Sequence, residues 1–358
     1  MDKTVLKRPP LRVSIRGDKP AASTARAWPA DEFEPRGSAA DRILDQAVYL
    51  HSGRLDPETL ICDDAGPGYG STMALPTGDV GQLEHHADAG RMVILCNRLT
   101  ADEWRHVIDV KRRRPELPIV AKIVDPYYPK RSVFGFLAEL AGMEHTAFLS
   151  VYEPREAVRD FLEELDPAGR RWLVLPYPYL PNREVEHSWA SRRNQVILTG
   201  AMSADVYPLR TALRDRRRTS IALRRKVALL PHPGYPDIGQ RRKHGIVGRA
   251  FVEELARFRH MFLCPTRAGV ELLKYIECAY AGCVPVGIPP ASFDRSLTEL
   301  FVITDPERMD ASVAEAVDLS VGEAEARAAA YRRAIRAARS RTEIRERLAE
   351  FLVSTFPR

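Results

Sequence analysis

From residue 91 onward the chain alternates two patterns of apolar spacing. Short unbroken apolar runs are followed by longer stretches in which apolar residues recur three and four apart. Residues 91–96 (RMVILC), 118–124 (PIVAKIV), 146–151 and 172–175 are runs of the first kind. That is how a strand covered on both faces must read. Residues 100–113, 133–143 and 153–165 read as the helices between them. Thr100 with Glu103 three residues on is a capping box that opens the first. Upstream, residues 11–15 read as a strand, 41–49 as a short helix, and the glycines 66, 68 and 70 beside Pro67 as a loop. The rhythm restarts after residue 194, with strands expected at 196–199, 227–230, 261–264, 284–288 and 301–304. Helices are expected at 209–218, 247–258 and 270–281, and residues 311–358 are almost all helix former. Strands alternating with helices imply parallel sheets, so the expected class is α/β: two such units in series with a helical tail. The proline-rich stretch 176–181 and the polar segment after it mark the boundary. The expected parts are a first domain 1–180, a linker 181–194, a second domain 195–335 and a terminal helix 336–358.

Composition narrows the function classes. With 358 residues, 45% hydrophobic and 28% charged, the chain has material for two ordinary cores. No stretch approaches the ~20 apolar residues that span a bilayer. The basic residues 1–10 lead into no apolar segment, so no secretory signal is read and a cytoplasmic location is expected. Five cysteines without a CxxC pair argue against a disulfide framework or structural zinc. Cys96, Cys264, Cys278 and Cys283 lie in apolar runs, where a thiol acts as a small buried hydrophobe. His85 and His86 have no third ligand at metal spacing, so no metal site is read. The net charge of +6 suits an anionic ligand, a phosphate-bearing substrate or an acidic membrane. The basic runs at 111–114, 214–226 and 241–243 are short of aromatics and match no nucleic-acid motif, so nucleic acid is not an expected partner. They read as solvated helix faces, with peripheral contact to an anionic membrane as the second reading.

The segment 261–288, MFLCPTRAGVELLKYIECAYAGCVPVGI, carries the most chemistry. It reads as a strand, a small-residue loop, a helix, a glycine stop and a second strand. The expected helix start at Ala268 and Gly269 offers free backbone N–H groups and a positive dipole end to an anion. Thr266 and Arg267 add a hydroxyl and a fixed charge. Lys274 and Glu277, three apart, share a helix face; an ordinary surface pair is the bland alternative. Such a loop, at the carboxyl end of a strand in an open sheet, is where α/β proteins bind ligands. Upstream, Gly200 ends a strand where a phosphate can approach closely. Arg210 follows in YPLR as a phosphate partner or an exposed residue opening a helix. His232 and Tyr235 stand in the rigid loop PHPGYP after the next strand.

KYIECAYAGCVPVGI resembles the donor-site segment of the GT-B glycosyltransferases, with bacterial families 1 and 4 the nearest pattern. The resemblance covers roughly residues 195–305; in the first half it rests on the strand–helix rhythm alone. It implies two Rossmann-like domains facing across a cleft, with the last helix crossing back to the first domain. It also implies a nucleotide-diphosphate sugar as donor substrate, no separate cofactor and no obligatory metal. Glu277 would hold the ribose and Lys274 the diphosphate. Where the retaining families carry a second glutamate, this chain has Gly269, and Glu271 is out of register. The acceptor, whether a small molecule, a glycan or a lipid-linked species, is not named by any motif. Asp125, after the PIVAKIV strand, is the candidate general base for an inverting transfer; Asn97, Arg98 and Glu153 end neighbouring strands in the same way. The expected catalytic set is Asp125, Arg210 and Lys274. A sugar-nucleotide epimerase and a non-catalytic binding protein of the same fold are the alternatives. A dinucleotide oxidoreductase ranks below both, because no GxGxxG follows the first strand.

Overall fold

The computed structural model describes residues 37–54, 67–123, 133–151, 163, 165–166, 169, 171–234, 241, 243–266 and 269–357. Two all-parallel sheets follow one another along the chain. The first is ordered β2-β1-β3-β4-β5-β6, with β1 Ala47–His51, β2 Thr77–Asp79, β3 Met92–Leu95, β4 Ile119–Ile123, β5 Thr146–Ser150 and β6 Trp172–Val174. The second is ordered β11-β10-β9-β7-β8, with β7 Arg193–Gly200, β8 Val227–Pro231, β9 Phe258–Leu263, β10 Val284–Gly287 and β11 Val302–Ile303. Both start beside their second strand and then grow the other way, which opens a crevice at the carboxyl ends where the order reverses. In the second sheet that point lies between β7 and β9.

Around the first sheet lie α1 Ala39–Leu44, α2 Pro67–Thr72, α3 Leu83–Asp88, α4 Ala101–Arg113 and α5 Val133–Ala141. The second carries α6 Pro208–Thr219, α7 Ile221–Lys226, α8 Gly248–Leu255, α9 Lys274–Ala281 and α10 Arg295–Thr298. Three helices close the chain: α11 Met309–Asp318, α12 Val321–Ala338 and α13 Arg341–Thr355. Tyr331 and Ile335 of α12 sit in the core of the second sheet. Ile344, Leu348 and Leu352 of α13 sit instead in the core of the first. The last helix therefore rests on the half that holds the first described elements.

Several expectations needed correction. Residues 41–49 are not one helix: it stops at Leu44, and Ala47–His51 is a strand whose first four residues are buried. The glycines near Pro67 do not prevent a helix, since proline is tolerated in the first turn. At Gly70 a side chain would collide with Thr77 and Tyr49, so the glycine lets α2 lie close on the sheet. The basic run 214–226 is largely exposed, as expected, and several of its guanidiniums also bind backbone carbonyls. Arg217 Nε donates to Val227 O at 2.7 Å, Arg224 donates to the carbonyls of Arg217 and Arg218, and Arg216 to those of Pro306 and Glu307. These guanidiniums occupy the carbonyl-rich end of α6, where cations are favoured. Lys111, in the run 111–114, is fully buried; its ammonium donates to Pro115 O and Leu117 O at 2.6 Å, and burial pushes it down to about 8. Cys96, Cys264, Cys278 and Cys283 are buried free thiols, as expected. The strand at 11–15, Cys62 and nearly all of the helix expected at 153–165 lie outside the described residues. Among the described residues no helix is long and apolar enough to cross a membrane.

Candidate functional site

The crevice beside β7 is built around a position without a side chain. Gly200 ends β7 with φ +95, a conformation glycine adopts at no steric cost. A Cβ there would stand 2.5 Å from Arg210 Nη1 and 2.9 Å from Lys274 Cε. Two cations from different helices thus converge on bare backbone. Arg210, the third residue of α6, is only 2% exposed. Its Nη1 donates to Ala201 O at 3.2 Å, and the guanidinium lies 4.3 Å from the centre of the Tyr207 ring. Arg210 Nε is buried and finds no acceptor among the described residues, and no carboxylate among them pairs with this guanidinium. A buried charge without a counter-ion is expensive. It persists in folded proteins where a ligand supplies the opposite charge.

Lys274 opens α9, four residues after the expected first residue Val270, so the amino end of the helix does not lie beside Gly269. The intervening segment is held as a loop. Thr266 Oγ1 accepts the Val270 N–H at 3.4 Å, the Gly269 N–H donates to Thr266 O at 2.9 Å, and Gly269 has φ +75. Thr266 and Gly269 therefore shape the approach to α9. Lys274 Nζ lies 3.6 Å from Glu277 Oε2, with the two side chains 22% and 18% exposed, and 4.3 Å from the Phe251 ring centre. The N–H groups of Glu271, Leu272 and Leu273, just ahead of α9, find no acceptor among the described residues. At the far end of α9, Gly282 takes φ +60, and the carbonyls are capped by Arg192 (2.9 Å to Ala281 O) and Arg332 (2.9 Å to Ala279 O). The helix is thus fixed at its carbonyl end and open at its amino end.

His232 enters from the other side. Pro231 pairs with Gly200 across β7 and β8, so the next residue stands beside the end of β7. Its Nδ1 accepts the Gly234 N–H at 3.0 Å. Burial, then the charges of Lys274, Lys243 and Arg210 and the imidazole of His244, press its pKa down to about 4. Lys243 and His244 are tied to this loop, Lys243 N–H to Pro233 O and His244 Nε2 to Pro231 O, both at 2.7 Å.

The structure thus brings together Gly200, Arg210, His232, Lys274 and Glu277 of the expected set, with Thr266 and Gly269 in the adjoining loop. Asp125, Tyr235, Arg267 and Glu153 lie outside the described residues. Lys243, His244 and Phe251 were not anticipated as site residues. Lys243 sat in a short basic run, and neither His244 nor Phe251 belongs to a motif. Glu271 has separate work: it binds Arg339 at 2.6 Å and accepts the Ser292 hydroxyl at 3.0 Å. It lines a cavity of about 150 Å³ whose walls include Val151, Val174 and Pro176 on one side and Arg339 and Arg347 on the other. Among the described residues no group of three or more His, Cys, Asp and Glu is placed to hold a metal ion. Chemically, the crevice can hold a multiply charged anion against three cations and open backbone N–H groups, with the Glu277 carboxylate beside Lys274 as an acceptor for hydroxyls.

Two parallel sheets, each with its crevice, and a last helix that returns to the first half make up the GT-B glycosyltransferase architecture. Solved structures of this fold match over most of their length. HepE of Anabaena, in complex with UDP and glucose, superposes with a TM-score of 0.54 at 11% identity, over 86% of this chain and 99% of that one. The trehalose-6-phosphate synthase OtsA gives 0.52 at 13% identity, over 80% and 77%. The α,α-trehalose-6-phosphate synthase of Burkholderia multivorans gives 0.50 at 11% identity, over 87% and 97%. No protein-family model and no curated protein matches the sequence.

Proposed function

We propose that this chain is a glycosyltransferase, of a kind near bacterial families 1 and 4, that takes its sugar from a nucleotide-diphosphate donor. One observation carries the reading: Arg210, a buried guanidinium with no acidic partner among the described residues, meets Lys274 at the bare backbone of Gly200. The donor diphosphate supplies the missing negative charge. Its oxygens lie on Arg210, Lys274 and the N–H groups before α9, and Glu277 accepts from the ribose hydroxyls. As the sugar leaves, charge grows on the diphosphate, and these preorganised groups stabilise it without an obligatory metal. The UDP and glucose found in HepE support a donor of this class. The acceptor, a small molecule, a glycan or a lipid-linked species, meets the sugar from the first half, with Asp125 proposed as base. A lipid-linked acceptor would bring the chain into contact with a membrane surface.

The test is a thermal-shift screen against UDP, GDP, dTDP, ADP and CMP, each with magnesium and with a chelator. One diphosphate should raise the melting temperature equally in both; a ligand at 100 times its Kd stabilises by about 2.7 kcal/mol. No shift with any nucleotide would remove the donor site. A shift that needs magnesium would remove the metal-independent mechanism. A second reading, a non-catalytic binding protein, draws on Gly269 and on the engagement of Glu271 by Arg339. Transfer or hydrolysis of the bound sugar nucleotide by the purified chain would dismiss it.

A further inference from the structure

Building on the donor-site reading, we propose that a sugar nucleotide settling among Arg210, Lys243 and Lys274 draws one proton from solvent onto His232. The geometry places the ring there whatever its charge. Pro231 is the register partner of Gly200, and Arg210 and Lys274 meet at Gly200. The bonds from Lys243 N–H to Pro233 O and from His244 to Pro231 O close a strap over the same loop. The groups that face the imidazole are Lys274 from α9, Arg210 from α6, and Lys243 and His244 from the strap. Glu277 is the carboxylate of this cluster, and it lies 3.6 Å from the Lys274 ammonium.

In the empty site burial and three cations keep the ring neutral, with a pKa of about 4. A diphosphate diester brings two negative charges into that field. An opposite charge within about 4–6 Å moves a pKa by about 1–3. Charging the ring forfeits the Gly234 N–H bond on Nδ1, which takes back roughly one pKa. With the full shift for two charges the occupied site titrates at about 6. No covalent step is involved, and the proton comes from water. By linkage, donor affinity rises about fourfold as the pH falls from 7.5 to 5.5. The nucleoside diphosphate product, with one more negative charge, holds the proton harder, so its release slows in acid.

The experiment is titration calorimetry with UDP-glucose, whose diphosphate has no proton to exchange near pH 6. Binding is measured at pH 6.0 in two buffers of different ionisation heat, and again at pH 7.5. The expected result is uptake of about half a proton per ligand at pH 6.0 and little at 7.5. His232→Gln keeps an N–H donor but cannot titrate; it should bind with no buffer dependence, while His244→Gln keeps the uptake. If wild-type protein binds UDP-glucose with the same heat in both buffers, the proton coupling is overturned and the donor site stands. Uptake that persists in His232→Gln and disappears in His244→Gln overturns the assignment to His232. If UDP-glucose, GDP-mannose and ADP-glucose all fail to bind at pH 7.5, the donor-site reading falls, and this inference falls with it.

Discussion

Arg210→Met should change the stability of the protein itself little and weaken its grip on nucleotide strongly. The guanidinium is 2% exposed, and in the folded chain it faces Lys274 and Tyr207 rather than an acid. Replacing buried charge with an apolar side chain of similar length is often stabilising by about 1–4 kcal/mol. Against this stand the lost stacking on Tyr207, worth about 2 kcal/mol when desolvated, and the lost bond to Ala201 O, worth about 1 kcal/mol. The terms nearly cancel: the balance runs from a loss of about 2 kcal/mol to a gain of about 1 kcal/mol, where 1 kcal/mol is about 2–4 °C in melting temperature. In the complex the loss is one-sided. A hydrogen bond to a charged group contributes about 1.5–3 kcal/mol, so the Kd for UDP or the diphosphate that replaces it should rise about 10- to 150-fold. Urea denaturation and calorimetric titration of the same preparation give both numbers. A variant that is several kcal/mol less stable but binds nucleotide normally would show that Arg210 is a structural residue. Arg210→Lys separates charge from shape: it keeps the first and loses the planar fork and the stacking.

Lys274→Ala and Glu277→Ala should each weaken diphosphate binding by about 1.5–3 kcal/mol while leaving the urea midpoint nearly unchanged, and unchanged affinity in both would remove the assignment. Gly200→Ala carries a Cβ into Arg210 and Lys274 at a backbone angle that costs a side chain about 1–2 kcal/mol. It should therefore lower stability and abolish nucleotide-dependent thermal shift together; a shift of normal size would show that the cations do not need that space. Acid stability follows from His232 and His260, both lowered to about 4 in the folded chain, chiefly by burial, against about 6.5 when unfolded. The unfolded state binds more protons between these values, so stability is full above about pH 6.5 and is lost as the pH falls towards 4, by at most about 3 kcal/mol per ring. Urea midpoints measured from pH 7 to 4.5 should fall accordingly, and His260→Leu should reduce the slope.

Local signals were legible where one short stretch of chain decides the outcome. Thr100 and Glu103 do form the reciprocal cap of α4, and Gly282 does stop α9. The same Glu103 also accepts the Ser52 hydroxyl at 2.7 Å and the Gly53 N–H at 3.2 Å, a contact between the segments that follow the neighbouring strands β1 and β3 that no local pattern announces. β1 was missed because Ala47–His51 follows a helix after only two residues, and a short apolar run suits either element. The start of α9 was misplaced because Val270 is apolar at helical spacing. Its side chain packs instead into the core of the first sheet. In the site, Glu277 and Lys274 could be picked out by resemblance. The burial of Arg210 could not, because it depends on the register that sets Gly200 beside Pro231 and on a helix 74 residues further along.

The position of Val270 ties the donor loop to both halves of the molecule. It is 3% exposed within the first core, yet it sits between Thr266 and Lys274, residues that shape and charge the second-half crevice. One residue on, Glu271 grips Arg339, the residue that ends α12 before the chain crosses to α13 and the first sheet. A rotation of one half against the other must therefore move Val270, stretch the Glu271–Arg339 pair, or carry the whole loop with it. The pair is about nine-tenths buried on both sides, where breaking it by removing one partner costs about 3–5 kcal/mol. The least costly motion keeps both contacts and moves residues 269–273 as part of the first half. Closure over an acceptor would then change the distance between that loop and Arg210, which belongs to the second sheet's own helix. A diphosphate held as proposed would lie between a group that follows the first half and a group that follows the second. Its binding and the closure of the cleft become parts of one event.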